Sequence, residues 1–436
     1  MIEIHPDGTF DLVLGEFRLE HCRTKIHVNR EEEPVSWSCT APGELSGTSR
    51  SGSWRFSAAE QAGRIVLRLN GTLKAPADLV EVTVLEIPEL AADHLLAQGL
   101  RMGGCEAVKL PCRREKEFES FYHCMITRNG KTLMLSMPLR QRQPGSFRGR
   151  FEGERLGGVR ARYELLCYSG CEVELDPVTI EAGDGFALLE NWTSGNIECP
   201  RDFSAPPEAG WNSWDYYRWT ITEEEVLKNA EFIARDPVLS KHVKRIIVDD
   251  GWQTEDNSRG YAYCGDWEIC LKRFPRMREH VDRVHALGMK YLLWYSLVWA
   301  GYESEAYRRF SGKFLYHNDR LRAAALDPRF PEVREYLLNI YERALIEWDL
   351  DGFKFDFLDS FRFDGEDPAV AEGYAGRDYK LLSRAVDRLL TDAMTRLRAI
   401  RPDILIEFRQ RYIGPAMRKY GNIFRVGDCP CDVIAN

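Results

Sequence analysis

No stretch of about 18 consecutive apolar residues occurs in the sequence, so nothing in it reads as a membrane-crossing helix, and no membrane partner is expected. Basic residues are not in excess either: 59 Lys and Arg stand against 68 Asp and Glu, a net charge of -9, without the clustered positive face that nucleic acid requires. The patterns G-x-G-x-x-G, P-loop and H-E-x-x-H are all missing, so no cofactor or metal is expected. The opening MIEIHPDGTF lacks a basic n-region and an apolar h-region, which leads to the expectation of a cytoplasmic protein. Cysteine numbers 12, yet neither close pair, Cys167 with Cys171 or Cys429 with Cys431, has the repeated spacing or histidine partners of a structural zinc site. Reduced thiols are the expectation.

What is present points to two domains, because 436 residues exceed what one hydrophobic core usually organises. Residues 1–195 consist of short alternating runs broken by Gly, Pro and Asn. In LVEVTVLEI, for example, Val80, Val82 and Val84 share one face, the period of a half-buried antiparallel strand. Many such strands predict an N-terminal antiparallel β-sandwich. The polar, proline-containing stretch at 196–207 reads as a linker. From 208 to 436 apolar runs alternate with amphipathic helices expected near 222–235, 275–287, 331–348 and 378–399. Thr222 and Glu225 form a capping box, Pro275 and Pro331 sit at first-turn positions, and Gly288 follows a helix end. Strands are expected near 208–214, 243–249, 289–297, 351–357, 403–407 and 422–426. Repeated βα units predict a parallel sheet of the (β/α)8 TIM-barrel kind, with the last strands missing from the sequence as given.

The stretch DGFKFDF raises a chemical question. Alternation puts Phe353, Phe355 and Phe357 on one face and Lys354 and Asp356 on the other. In a parallel barrel the phenylalanines suit the face beneath the helices, and the charged pair then points inward near the C-terminal rim, where such enzymes keep their sites. A structural ion pair is the plainer alternative. Other strand ends carry further candidates: Asp249, Asp250 and Trp252 in IIVDDGW, Trp211 and Trp214 in GWNSWDYY, Trp294 in YLLWYS, and Arg425, Asp428 and Asp432 in NIFRVGDCPCD. Eight of the 11 tryptophans lie after residue 205, and most fall at expected strand ends. Aromatic faces pack against the C–H faces of sugars, and carboxylates accept hydrogen bonds from their hydroxyls.

Taken in order, GWNSWDYY, DDGW, GDWEICLKRFP, HALGMKYLLW, ALDPRFPEVREYL and DGFKFDF resemble the melibiase-type α-galactosidases of glycoside hydrolase clan D, over about residues 208–436. The N-terminal β-domain fits the bacterial branch of that group. The resemblance implies a retaining glycosidase acting on a small α-galactoside or oligosaccharide. It implies Asp356 as nucleophile, Lys354 as a contact to sugar hydroxyls, and Asp249 and Asp250 as the pair gripping the 4- and 6-hydroxyls. Trp214 and Trp294 become ring-lining aromatics, Arg425 a substrate contact, and Asp428 the acid/base with Asp432 in reserve; Trp252, at the end of IIVDDGW, is a further candidate for substrate binding. Two segments depart from the pattern: SLVWAG stands where many bacterial members have an E-P-E-like segment, and IEFRQRYIGP replaces a Gly-rich one. The sugar therefore stays open, with galactosyl transfer of the raffinose-synthase kind and α-N-acetylgalactosaminidase activity as alternatives. A sugar-binding remnant is the non-enzymatic one, and the sequence is compatible with a homo-oligomer.

Overall fold

The computed structural model describes residues 1–99, 105–110, 112–153, 155–168, 171–198, 209–254, 260–409 and 415–425. The chain divides into two compact units, Met1–Ile197 and Glu198–Asn436. Residues 199–208, most of the expected linker, lie outside the described ones.

The first unit is built on two antiparallel sheets, of eight and ten strands. Their inner faces share one core, in which Phe10 from one sheet stacks on Phe56 from the other with ring centroids 4.8 Å apart. Strand Ala77–Ala91 shows how sequence patterning is both kept and interrupted. Val80, Val82 and Val84 are fully buried, but so are Leu85 and Ile87. The pairing with strand Arg155–Tyr168 shifts register at this point: Thr83 pairs with Arg162 and Leu85 with Ala161, leaving Val84 as the extra residue of a bulge.

In the second unit a parallel sheet runs in chain order through β1 (Ala209–Asn212), β2 (Val243–Val248), β3 (Lys290–Ser296), β4 (Gly352–Asp356), β5 (Leu405–Arg409) and β6 (Ile423–Arg425). All six expected strands of this unit are present within a few residues of their expected positions. The four longest helices of this unit among the described residues are α1 (Glu223–Arg235), α2 (Met277–Ala286), α3 (Pro331–Trp348) and α4 (Leu382–Ile400). Thr222 caps α1 by accepting a hydrogen bond from the Glu225 amide at 3.3 Å, as the capping box requires. The stripe Val333, Leu337, Tyr341, Leu345 and Trp348 of α3 is buried, and Gly288 follows α2 with φ +79°.

Two features were not legible beforehand. The apolar run after Lys290 reads as one strand in sequence, but β3 stops at Ser296, whose hydroxyl accepts from the Trp299 amide at 3.1 Å. The chain then builds a three-stranded antiparallel sheet from Trp299–Gly301, Phe314–Asn318 and Ala323–Leu326. The second feature is a buried ionic cluster. Arg329 donates to Asp327 at 2.9 Å and to both oxygens of Asp367 at 2.7 and 2.8 Å, while Arg377 donates to Asp327 at 2.9 Å and Arg334 to Asp378 at 2.9 Å. These pairs tie the segment before α3 and the start of α3 itself to the long connection between β4 and α4, the Arg334–Asp378 pair lying at the exposed edge of the cluster. No described helix is long and apolar enough to cross a membrane.

Candidate active site

β4 holds the centre of the site because its two faces meet different surroundings. Phe353 and Phe355 are buried and pack against Tyr341 of α3, with ring centroids 5.8 and 4.8 Å away. Lys354 and Asp356 occupy the opposite face. The parallel register sets Lys354 beside Trp294 of β3 and Glu407 of β5, and Asp356 beside Ser296 and Arg409. Arg409 is in turn paired with Arg425 of β6.

Both oxygens of Asp356 are held. Trp294 Nε1 donates to Oδ2 at 3.1 Å, and the Phe357 amide donates to Oδ1 at 2.8 Å. Phe357 departs from the expected alternation: its φ of +61° takes it out of the strand, and its ring lies 6.4 Å from Trp294, 6.0 Å from Trp299 and 5.3 Å from Tyr261. Alternation ends where the strand ends, and a left-handed phenylalanine is a strained conformation of the sort found at functional sites. Lys354 Nζ and Arg409 Nη1 each lie 3.9 Å from the Asp356 carboxylate. Burial pushes the Asp356 carboxyl above the ordinary range, and the two cations and the Trp294 donor pull it back only in part.

The acidic pair after β2 is organised by β1. Asn212 Nδ2 donates to Asp249 Oδ2 at 2.9 Å, and the Asp249 amide donates to the Ser213 hydroxyl at 2.9 Å. Lys354 Nζ donates to the same Asp249 oxygen at 2.5 Å. Asp250 accepts from Trp219 Nε1 at 2.7 Å and from Gln253 Nε2 at 2.5 Å. Its carboxyl is pushed up to about 7, by burial first and also by the neighbouring charges of Asp249 and Asp356, against the pull of those two donors.

The tryptophans separate by role. Trp214 is half-buried and meets Trp219 edge to face at 5.3 Å, with the Arg218 guanidinium 5.2 Å from its ring centroid. Trp252, a candidate for substrate binding, is fully buried: its Nε1 donates to the Trp294 carbonyl at 2.9 Å and its ring stacks on Trp267 at 6.2 Å. Trp294 is sealed almost as completely, at 1% exposure, so the two indoles differ in what they bond: Trp252 bonds the Trp294 carbonyl, and Trp294 bonds Asp356. Asp428 and Asp432 lie outside the described residues, and Arg425 is described in its backbone only. Residues the sequence reading missed are Asn212, Trp219, Gln253, Tyr261, Glu407 and Arg409. Arg409 and Glu407 alternate with buried Phe408 on β5, a signal that was available. Trp219, in a turn after β1, had none.

A parallel βα sheet with carboxylates, a lysine and indoles gathered at the C-terminal strand ends belongs to the class of barrel-type domains that keep their chemistry on that rim. Residues 211–369 match the Melibiase family model. The chain is 28% identical to the α-galactosidase Mel36A of Lactobacillus acidophilus over 219 residues, which cover 45% of this chain and 26% of that protein. It is 26% identical to an A type blood α-D-galactosamine galactosaminidase of Flavonifractor plautii over 167 residues, covering 34% of this chain and 14% of that one. Its fold is similar to that of a variant of the GH36 α-galactosidase AgaA from Geobacillus stearothermophilus solved in complex with stachyose. That likeness has a TM-score of 0.60 at 14% identity, over 92% of this chain and 64% of the other. The chain thus matches about a quarter of the length of the first of these curated relatives and less than two thirds of the solved structure.

Proposed function

We propose that this protein is a retaining glycosidase that releases terminal α-linked galactose from small oligosaccharides. The observation that carries the reading is Asp356: a carboxylate at the end of β4, held through both oxygens by N–H groups, within the segment that matches the Melibiase model. In this reading the six parallel strands are part of a (β/α)8 barrel and the two N-terminal sheets form a β-sandwich.

Asp356 attacks the anomeric carbon while a protonated carboxylic acid releases the aglycone. The same acid then activates water to cleave the galactosyl-aspartate, the two carboxyls standing about 5–5.5 Å apart in enzymes of this kind. Asp428 takes the acid/base role, with Asp432 as the second candidate and Arg425 as a substrate contact. Asp249 and Asp250 accept hydrogen bonds from the sugar hydroxyls, Lys354 bridges Asp249 and the nucleophile, Trp214 walls the ring, and the buried Trp294 acts through the hydrogen bond that holds Asp356. A bound sugar displaces water from Asp356 but brings the Lys354 and Arg409 charges closer in effect, because the local dielectric falls.

The similarity to a galactosaminidase supports a second reading, in which the 2-position carries an amino or acetamido group. Assaying aryl α-galactoside, α-galactosaminide, α-N-acetylgalactosaminide and β-galactoside side by side tests both readings. Preferential cleavage of the α-galactoside, with the α-anomer as first product by proton NMR, is the expected outcome. Preference for an amino sugar would replace galactose in the reading, and accumulation of longer oligosaccharides at high acceptor concentration would replace hydrolysis by transfer.

A further inference from the structure

Tyr261 lies on the connection between β2 and α2, and its ring touches both of the residues that hold Asp356. It packs against Trp294 at 6.1 Å with ring planes 21° apart, and against Phe357 at 5.3 Å, edge to face. Trp294 supplies the donor to Asp356 Oδ2, and Phe357 supplies the donor to Oδ1. We propose that Tyr261 is a positioning residue for Asp356: its ring clamps the two donor-bearing residues together and keeps both N–H groups aimed at the carboxylate. The proposal rests on Asp356 being the nucleophile.

The backbone around Tyr261 is placed firmly enough for such a role. Its amide donates to the Leu321 carbonyl at 2.9 Å, and its own carbonyl accepts from the Cys264 amide at 3.0 Å. The Glu303 amide donates to Ala262 O at 2.9 Å and the Gly301 amide to Cys264 O at 2.7 Å, so the small antiparallel sheet fastens the turn along its length. The turn comes so close that a Cβ on Gly301 would stand 2.2 Å from the carbonyl oxygens of Tyr261 and Ala262, which only glycine permits.

The ring, and not the hydroxyl, does the holding, since the hydroxyl makes no hydrogen bond among the described residues. Burial, together with the charges of Asp250, Asp356 and Asp249, holds the phenol protonated far above its ordinary range, so it does not serve as a base. Donors aimed at a carboxylate favour its ionised form, and an ionised, fixed carboxylate is what nucleophilic attack requires. Loosening both donors therefore has two effects: a higher Asp356 pKa and a poorer line of attack.

The test uses the full chain with carboxyl-labelled aspartate, the Asp356 carbon signal being assigned by its loss in D356N. In Tyr261→Phe the titration midpoint of Asp356 stays at the wild-type position, and kcat/KM on an aryl α-galactoside stays within about threefold. In Tyr261→Ala the midpoint rises and kcat/KM falls about 100-fold, mostly through kcat, the scale of loss that a small misplacement of a reacting group produces. If Y261A does not fold, Y261L, which removes the flat face and keeps bulk, carries the same comparison. An unchanged midpoint in the truncated variant, or Y261F behaving like Y261A, overturns the clamp. The titration needs no turnover. A wild-type protein that cleaves no glycoside therefore defeats the functional reading separately, while the midpoints still decide the role of Tyr261.

Discussion

The Lys354 ammonium lies 2.5 Å from Asp249 Oδ2 and 3.9 Å from Asp356 Oδ2, so one buried cation on β4 is shared by carboxylates at the ends of two strands. Lysine and aspartate share a face of the DGFKFDF strand because a third charge, Asp249, completes the group. Lys354 and Asp249 are each only 3% exposed in their side chains, so each ion is shielded from bulk solvent and leans on the other for compensation.

Removing one partner should therefore cost more than removing both. Lys354→Met is expected to lower unfolding free energy by about 3–5 kcal/mol, the range for an uncompensated buried charge, and the double variant K354M/D249N to recover a large part of it. Urea unfolding of K354M, D249N, K354M/D249N and wild type checks this through the double-mutant cycle.

Asp250 predicts a pH dependence with a definite sign. Its folded-state pKa of about 7 lies above the model-compound value of 3.8, so the native state holds a proton that the unfolded chain has released. The contribution is fully present below pH 3.8 and is lost as pH rises to about 7. At about 1.4 kcal/mol per pH unit the loss is of order 4 kcal/mol. Asp250→Asn should flatten the stability profile between pH 5 and 8, measured by denaturant titration at fixed ionic strength, since the amide can still accept from Trp219 and Gln253 can turn its own amide.

The ionic cluster around Arg329 predicts a loss that lysine does not rescue. Arg329 and Asp327 are fully buried and Asp367 is 7% exposed in its side chain. Arg329→Met removes the guanidinium from Asp367 and leaves Asp327 with Arg377 alone, and is expected to cost about 3–5 kcal/mol. R329K should recover little, because an ammonium cannot form the paired bonds to both carboxylates. Thermal unfolding gives the magnitude, and faster proteolytic cleavage within residues 357–381 would show that the connection after β4 is what comes loose.

The six parallel strands and four long helices of the second unit were legible because each announced itself locally, through period, caps and punctuation. The capping box at Thr222 and the stripe on α3 are examples in which local propensity and tertiary packing agree. What could not be read depended on contacts between distant segments. Nothing near Arg329 in sequence indicates that it bonds Asp367 and the Lys380 carbonyl. Trp252 and Trp294 looked alike as strand-end tryptophans, and only the layering of Trp252, Trp267 and Trp294 assigns one to the back and the other to Asp356. Phe357 shows the same limit at shorter range, since periodicity cannot say at which residue a strand stops.

The central claim is that Asp356 forms a bond to the sugar. Incubation with a fluorinated α-galactosyl fluoride, followed by proteolysis and mass spectrometry, should find the galactosyl adduct on the peptide containing Asp356 and none in Asp356→Asn, whose kcat falls by about three orders of magnitude or more. An adduct on another carboxylate, or undiminished turnover in D356N, would contradict the account.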